Sequence, residues 1–423
     1  MKDTVNDTEP DPGGGPAPAP TDDKPLAGKR VLMIAPQPFF QPRGTPISVY
    51  HRCVALGKLG ARVDLLTYPI GDSPPIDGVT VHRSPGRALF RNVRIGPSWK
   101  KLPLDLGLFL MTVGYLAKNR YDLVHTHEEG GIFYALLSYL FRVPHLYDMH
   151  SSLPQQFGNF SFLNVPPVVG TFRLLERLTL NRSDAVITIC DDLHDQVRAT
   201  HPDLPQVMIE NYVDSLTAFG PDPEGERRIL ERWKDPKRKT VLYAGTLEAY
   251  QGLDLLVDGA REVVAKVPDV RFLIVGGSPA QVADLQAQVK AAEVADNFQF
   301  VGSVPPQHVA AFVALSDVLV SPRKSGTNTP LKIYSFLRSD RPVVATRLYT
   351  HTQVLDDDTA ILTAPEPADF GEGIIAALTD PERVARVVAG ARAKAEREYS
   401  YASYLDKVNR VYDMALGTPG AKA

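Results

Sequence analysis

The stretch Ser316–Thr346 reads S-D-V-L-V-S-P-R-K-S-G-T-N-T-P-L-K-I-Y-S-F-L-R-S-D-R-P-V-V-A-T. Its residue types could hold an anion. Val318–Val320 is a short apolar run, Arg323–Asn328 a basic loop of small residues, and Val343–Ala345 the next apolar run. Between them, Thr329 at an N-cap and Pro330 at the first helical position predict a helix start. A helix opened at the end of a parallel strand turns unpaired N–H groups towards a phosphate. The segment Thr329, Pro330 and Leu331 marks that position, with Lys332 in the first turn and Ser335 one turn on. Arg323, Lys324 and Thr327 lie in the loop before it.

Other strand ends carry polar residues that suit the same kind of cleft. Gly44-Thr45-Pro46 is a turn before a helix, where backbone could approach a phosphate or sugar. His125 and His127 are spaced to share one side of an extended segment. A metal there lacks a nearby third ligand, so a histidine holding a hydroxyl is the expected use, with a satisfied structural role as the alternative for His125. Asp148 and His150 end the following strand and suit a cleft wall or a capping loop. Gly245, then Gly276 and Gly277, then Gly302 end successive apolar runs. Glycines there permit close backbone approach, either to a ligand or to a neighbouring element. Between Arg83 and Lys101 the charges are all basic: Arg83, Arg87, Arg91, Arg94, Lys100 and Lys101. Such a segment could receive a phosphate-bearing acceptor, meet an anionic membrane, or simply be solvated.

The elements that must position these residues alternate in type. Apolar runs at Val31–Ala35, Val63–Thr67, Leu123–Thr126, His145–Tyr147 and Ala185–Ile189 are separated by helical patterns. A second series starts near Lys239, with runs at Val241–Ala244, Arg271–Val275, Phe298–Val301 and the two described above. This alternation predicts βαβ units: an α/β protein of two facing Rossmann-like, doubly wound parallel-sheet domains with a cleft between them. The polar stretch Asp214–Glu226 predicts the boundary. The expected divisions are residues 1–28 as a disordered Pro/Gly-rich tail, 29–215, 216–400, and a final helix in 401–423 packing back on the first domain. The tail composition cannot bury a core, so removal of Met1–Leu26 is expected to leave stability unchanged.

Composition bounds the function. The chain has 423 residues, 44% apolar and 22% charged, with a net charge of −3, which argues against a nucleic-acid partner. Cys53 and Cys190 are far apart and show no metal-ligand spacing, which reads as cytoplasmic. No stretch reaches the length of a membrane span.

Taken together, residues 29–415 resemble the family-four retaining glycosyltransferases of the GT-B class. Gly44-Thr45 matches the family's first glycine loop, and His127-Glu128 its strand-end histidine motif. Ser183–Ile187 and Asn211–Asp214 match its A-D-x-V-I strand and N-x-V-D linker entry. Gly245–Leu255 matches its G-x-L-x-x-x-K-G-x-D-x-L loop, and Asp340–Thr346 its G-x-P-V-V-A-T strand. The resemblance implies a nucleotide-diphosphate sugar as donor, a glycan, lipid-linked or other small acceptor, and neither metal nor cofactor. On this reading His127 holds the donor sugar, while the basic Arg83 and Arg87 and the strand-end Asp148 and His150 are expected to meet the acceptor. The chain departs from the family at four positions. Its paired glutamates are Thr327 and Ser335 here, and its diphosphate-binding Arg and Lys are Thr246 and Gln251. Lys332, with Arg323 or Lys324, is the expected replacement charge. A catalytically silent sugar-binding relative and a nucleotide-sugar epimerase of the same fold are the alternatives.

Overall fold

A computed structural model describes residues 24–40, 44–85, 101–152, 166–210, 222–326 and 329–417. Arg87 and Thr327 lie outside the described residues.

The first unit is a seven-stranded sheet in the order β3-β2-β1-β4-β5-β6-β7. Its strands are β1 (Arg30–Ala35), β2 (Arg62–Thr67), β3 (Val79–Arg83), β4 (Leu123–His127), β5 (His145–Met149), β6 (Ala185–Thr188) and β7 (Gln206–Met208). All pair in parallel. Its helices are α1 (Gly44–Lys58), α2 (Leu102–Lys118), α3 (Gly130–Phe141), α4 (Pro166–Asn181) and α5 (Asp191–Thr200). β1 and β4 are buried almost throughout, as a parallel strand covered on both faces must be. On one face, Leu104 and Leu108 of α2 and Tyr134 of α3 pack on Leu32, Ile34 and Leu66. On the other, Val49, Cys53 and Leu56 of α1 pack on Val31, Met33 and Leu65.

The second unit is a six-stranded sheet, β10-β9-β8-β11-β12-β13. Its strands are β8 (Lys239–Ala244), β9 (Val270–Val275), β10 (Phe298–Gly302), β11 (Val318–Ser321), β12 (Val343–Thr346) and β13 (Ile361–Thr363), again all parallel. Around it lie α6 (Pro223–Trp233), α7 (Leu253–Lys266), α8 (Pro279–Ala291), α9 (Val309–Ala314), α10 (Lys332–Phe336), α11 (Tyr349–Thr352) and α12 (Pro367–Thr379). Then follow α13 (Pro381–Glu398) and α14 (Tyr401–Gly417). Helix α14 packs on β5, β6, β7 and α1. There Lys407 Nζ meets Glu210 Oε2 at 2.6 Å. Among the described residues no helix is long and apolar enough to cross a membrane.

Each sheet reverses its strand order once: between β1 and β4, and between β8 and β11. Loops at such points diverge to opposite faces and leave a crevice at the carboxyl ends. Thr45 and Glu128 follow β1 and β4, while Gly245 and Arg323 follow β8 and β11.

Three expectations need correction. The tail does not extend through Leu26. That side chain is buried against the α1 core, and its N–H donates to Leu59 O at 2.9 Å. Truncation before Lys24 is therefore expected to leave the melting temperature unchanged. Leu26→Ala should cost about 2–3 kcal/mol in urea unfolding, as other buried Leu truncations do. Secondly, the polar stretch ending at Glu226 already holds the first turn of α6, where the Asp222 carboxylate accepts from Gly225 N. Thirdly, Thr329 does not cap a helix. α10 starts at Lys332 after Leu331, without a side-chain cap, and is only five residues long.

Candidate functional site

β8 ends against its neighbours with no room for side chains. Gly276 has φ 119°, and a β-carbon there would lie 1.9 Å from Gly245 O. Gly277, with φ 84°, faces the Leu247 side chain, whose Cδ1 would lie 2.4 Å from a β-carbon there. Gly277 makes room for that side chain, and Gly276 serves the close approach of neighbouring backbone. Gly252 serves it too: a β-carbon there would lie 2.0 Å from Pro322 O. The loop after β8 is thereby pressed on the loop after β11, and Lys324 N donates to Tyr250 O at 3.0 Å.

Lys332 comes into this junction from α10. Its Nζ is buried, has no hydrogen-bond partner, and sits 4.1 Å from the Tyr243 ring centroid. A β-carbon at Gly245 would lie 3.7 Å from that nitrogen. Tyr243 holds the loop by donating its hydroxyl to Thr246 O at 2.5 Å. Burial first, and the Arg323 guanidinium second, lower the Lys332 amine to about 7. Arg323 is itself anchored. Nη1 donates to Thr350 Oγ1 at 3.0 Å, Nε donates to Ser325 O at 2.9 Å, and the guanidinium lies over the Tyr250 ring. His351 is buried beside them and lowered to about 4, by burial most and by Lys332 and Arg323 further. Arg323 therefore stands near enough to Lys332 to act on its amine, and that amine, beside Gly245, is unpaired. That arrangement suits an incoming anion.

The other expected donor residues divide. Lys324 points its charge elsewhere, onto Asp254 Oδ2 at 2.6 Å on the half-exposed surface. Gln251 Nε2 reaches Thr246 Oγ1 only at 3.4 Å. These replaced positions thus meet each other and supply no charge. Ser335 lies three residues beyond Lys332 in α10, on a neighbouring helix position.

In the first unit, Gly44 opens α1, and Thr45 Oγ1 donates to Glu128 Oε1 at 3.2 Å. Glu128 stands directly after β4 with a left-handed φ of 47°. Such strain in a non-glycine residue collects at functional positions. Burial first, then Glu129, push its carboxyl up to about 7, against Lys101 and Thr45. Sequence reasoning placed Glu128 only inside a motif. Its backbone conformation had no sequence signal.

His127, Asp148 and His150 belong to one buried cluster. Asp148 Oδ2 accepts from Arg52 Nε at 2.9 Å, and both side chains are essentially inaccessible. His125 and His127 each stand 3.6 Å from Oδ2, and His150 lies 3.4 Å from Oδ1. His127 Nδ1 and His150 Nε2 share a hydrogen bond of 3.0 Å, while His125 Nδ1 shares one of 2.6 Å with Tyr412 of α14. Burial lowers all three imidazoles, so they are neutral. Burial would raise Asp148, but Arg52, His150, His125 and His127 hold it well below the usual carboxylate range. Asp148 and His150 are thus interior residues of this structure rather than a cleft wall. His127 keeps one nitrogen, Nε2, without a partner. The missing third ligand is also supplied by the fold: His125, His127 and Asp148 present donor atoms within 4.8 Å of one another. Arg52 already occupies Asp148, however, and its fixed positive charge opposes a second cation there. Arg52 was missed because it sits in the apolar pattern of α1. A basic residue at a core position of that helix was the available signal.

Arg83 has a different task from the one expected. Its guanidinium donates to the carbonyls of Tyr68, Ile70 and Asp72, and to Ser73 Oγ, clamping the loop after β2.

Residues 43–211 match the family model of the glycosyl transferase 4-like domain, and residues 238–380 that of glycosyl transferases group 1. The chain is similar to the D-inositol 3-phosphate glycosyltransferase of Xylanimonas cellulosilytica, 27% identical over 88% of this chain and 93% of that protein. It is also similar to the alpha-D-kanosaminyltransferase of Streptomyces kanamyceticus, 25% identical over 74% of this chain and 86% of that one. Among solved structures, sucrose-phosphate synthase from Thermosynechococcus elongatus superimposes with a TM-score of 0.72. That likeness covers 92% of this chain and 99% of the synthase at 19% identity, and speaks for the fold. The matched regions fall on the two sheets whose switch points carry Glu128 and Lys332, and the chain belongs to the family-four glycosyltransferases of the GT-B class.

Proposed function

We propose that the protein transfers a sugar from a nucleotide-diphosphate sugar to a glycan, lipid-linked or other small acceptor, with retention of configuration and without a metal or cofactor. The buried, unpaired amine of Lys332 beside Gly245 carries this reading. A diphosphate is an anion that such an amine and Arg323 would pair with, and both stand at the switch point of the second sheet.

The chemistry balances without an external base. The glycosidic C–O bond breaks and its electron pair stays on the diphosphate oxygen. The acceptor oxygen bonds to the anomeric carbon from the same face, and its proton passes to that diphosphate oxygen. Catalysis then rests on cations aimed at the developing charge. Lys332 takes that position, with Arg323 holding the loop. The α10 helix is too short to supply much dipole, so the amine does work first expected of the amides at Thr329–Leu331. His127 holds a donor-sugar hydroxyl through its buried, unpartnered Nε2, and Ser335 faces the ribose.

The test is a panel of nucleotide sugars titrated against the protein, with product analysis for those that bind. Donor-dependent product with the donor's anomeric configuration supports the reading, and turnover should survive a chelator. Binding of no nucleotide sugar would leave the silent relative as the correct reading. Isomerised donor without acceptor would make it an epimerase. His127→Ala is expected to lower turnover by about ten-fold or more with the fold intact. Unchanged turnover in the folded variant would remove His127 from the site.

A further inference from the structure

Large apolar side chains are not spread evenly over this surface. Ten such residues are exposed among those described, and seven of them lie on α2, α3 and α4. On α2 they are Leu102, Leu106 and Leu110, 56–61% exposed and spaced to form one stripe along the helix. α3 adds Leu136, Tyr139 and Leu140, the last 74% exposed, and α4 adds Leu174 at 68%. The three helices adjoin. α3 packs on both α2 and α4, Phe109 meets Phe133 edge-on at 6.0 Å, and Arg182 stacks over Tyr139 at 3.6 Å. They cover one face of the first sheet, while α1 and α14 cover the other.

The exposed charges on and beside the same helices have one sign. Lys118, Arg142, Arg173 and Arg177 are exposed at or beside their ends and between the leucines. The three helices hold two acids, and neither is fully exposed. Asp105 is hydrogen-bonded to the Tyr68 hydroxyl, and Glu176 accepts from Ser152 Oγ at 3.3 Å. A copy of this chain offers no matching acidic patch in this face. A broad apolar surface rimmed by cations and free of exposed acids fits the headgroup region of an anionic bilayer.

We infer that the α2–α3–α4 face is a docking surface for an anionic lipid membrane, holding the first domain on the bilayer by its leucines and arginines. The stripe on α2 begins next to Lys101, whose Nζ meets Glu129 Oε1 at 3.2 Å beside Glu128. The face therefore runs up to the carboxyl end of β4. Delivery of a lipid-linked acceptor there rests on the proposed transfer reaction, whereas docking itself does not.

The experiment is co-sedimentation of the full chain with vesicles, in the absence of any nucleotide sugar. One set is phosphatidylcholine alone and the other contains about one third phosphatidylglycerol, so that the anionic term is isolated. The parent should bind the anionic vesicles, bind phosphatidylcholine much less, and release as salt is raised. The double variant Leu106→Glu/Leu110→Glu should keep the parent's melting temperature and lose about ten-fold or more in partitioning, because it removes apolar contact and adds repulsion. Arg173→Glu/Arg177→Glu should weaken anionic-vesicle binding and leave residual phosphatidylcholine binding unchanged. A parent that binds neither vesicle overturns the proposal, as does a folded leucine double variant that binds as the parent does. A concentration-dependent dimer dissolved by the same double variant, without vesicle binding, would assign the face to a second copy instead.

Discussion

Replacing Asp148 by Asn is expected to destabilise the protein by about 3–5 kcal/mol, the usual result of stranding one member of a buried ion pair. The Arg52 guanidinium, 2.9 Å from Asp148 Oδ2, would then be left in the interior without a counter-charge. Its other contacts cannot replace the carboxylate. It lies over the Tyr404 ring at 5.3 Å and reaches Ile209 O at 3.4 Å. The neutral imidazoles of His125, His127 and His150 cannot either. Because Tyr404 and Tyr412 come from α14, the damage should reach the closing helix as well as β5. Urea unfolding followed by circular dichroism measures it. A loss of about 1 kcal/mol or less would mean that the pair behaves like an exposed one. The linkage has a definite sign. Asp148 titrates below 3.8 in the folded chain, so the unfolded chain binds more protons near that pH. The stabilisation is present above 3.8 and disappears as pH falls through the folded value. The Asn variant should therefore show a flatter acid limb than the parent. Removing both charges, as in Arg52→Met/Asp148→Leu, should recover part of the loss, since no unpaired charge remains.

The sheet strands were legible in the sequence where burial on both faces makes them continuous apolar runs. β1, β4, β8, β9 and β11 are of this kind. β3 and β7 were not legible. They are edge strands, V-T-V-H-R half-buried and Q-V-M only three residues long, and neither makes a run. α12 was hidden by its own glycines. Gly371 and Gly373 weaken a helical pattern, yet Gly371 permits the approach to Gly259 of α7, where a β-carbon would lie 2.9 Å from its carbonyl oxygen. The site was legible as strand ends and loops, because glycine and basic residues cluster there. Which residue faces the cleft and which faces the core was not. Asp148 and Lys324 are ordinary polar residues at strand ends. Their direction is set by Arg52, some hundred positions away from the one, and by Asp254 beside the other. The Thr329-Pro330 signature failed because the chain makes a turn first, with Ile333 N donating to Pro330 O at 3.0 Å.

Lys332→Ala is expected to weaken nucleotide-sugar binding by roughly ten- to hundred-fold, the equivalent of about 1.5–3 kcal/mol for a lost charged hydrogen bond. The family's two diphosphate cations are Thr246 and Gln251 in this chain, and Lys324 is held by Asp254. Among the described residues, Lys332 beside Gly245, with Arg323 acting on it, is then the positive charge at the end of β8. The effect should depend on pH. With the amine at about 7, it is charged at pH 6 and mostly neutral at pH 8 in the empty protein. A nucleotide sugar keeps a fixed charge over this range, because its diphosphate is esterified at both ends. Parent affinity should therefore fall above pH 7, by up to about ten-fold per unit, until the bound amine also deprotonates. Glu128 also titrates at about 7 and gains negative charge over the same range. The Ala variant separates the two: it keeps any slope due to Glu128 and loses the part due to Lys332. Stability runs the other way. Between 7 and 10.5 the unfolded lysine holds a proton that the folded one has released. The parent should thus gain stability as pH rises through that window, and Lys332→Met should remove this gain. Calorimetric titration at pH 6 and pH 8, with melting curves over the higher range, gives both readings. Equal affinity of parent and Ala variant at pH 6 would place the phosphate clamp elsewhere, whereas a lost pH slope with lost affinity would place it on this amine.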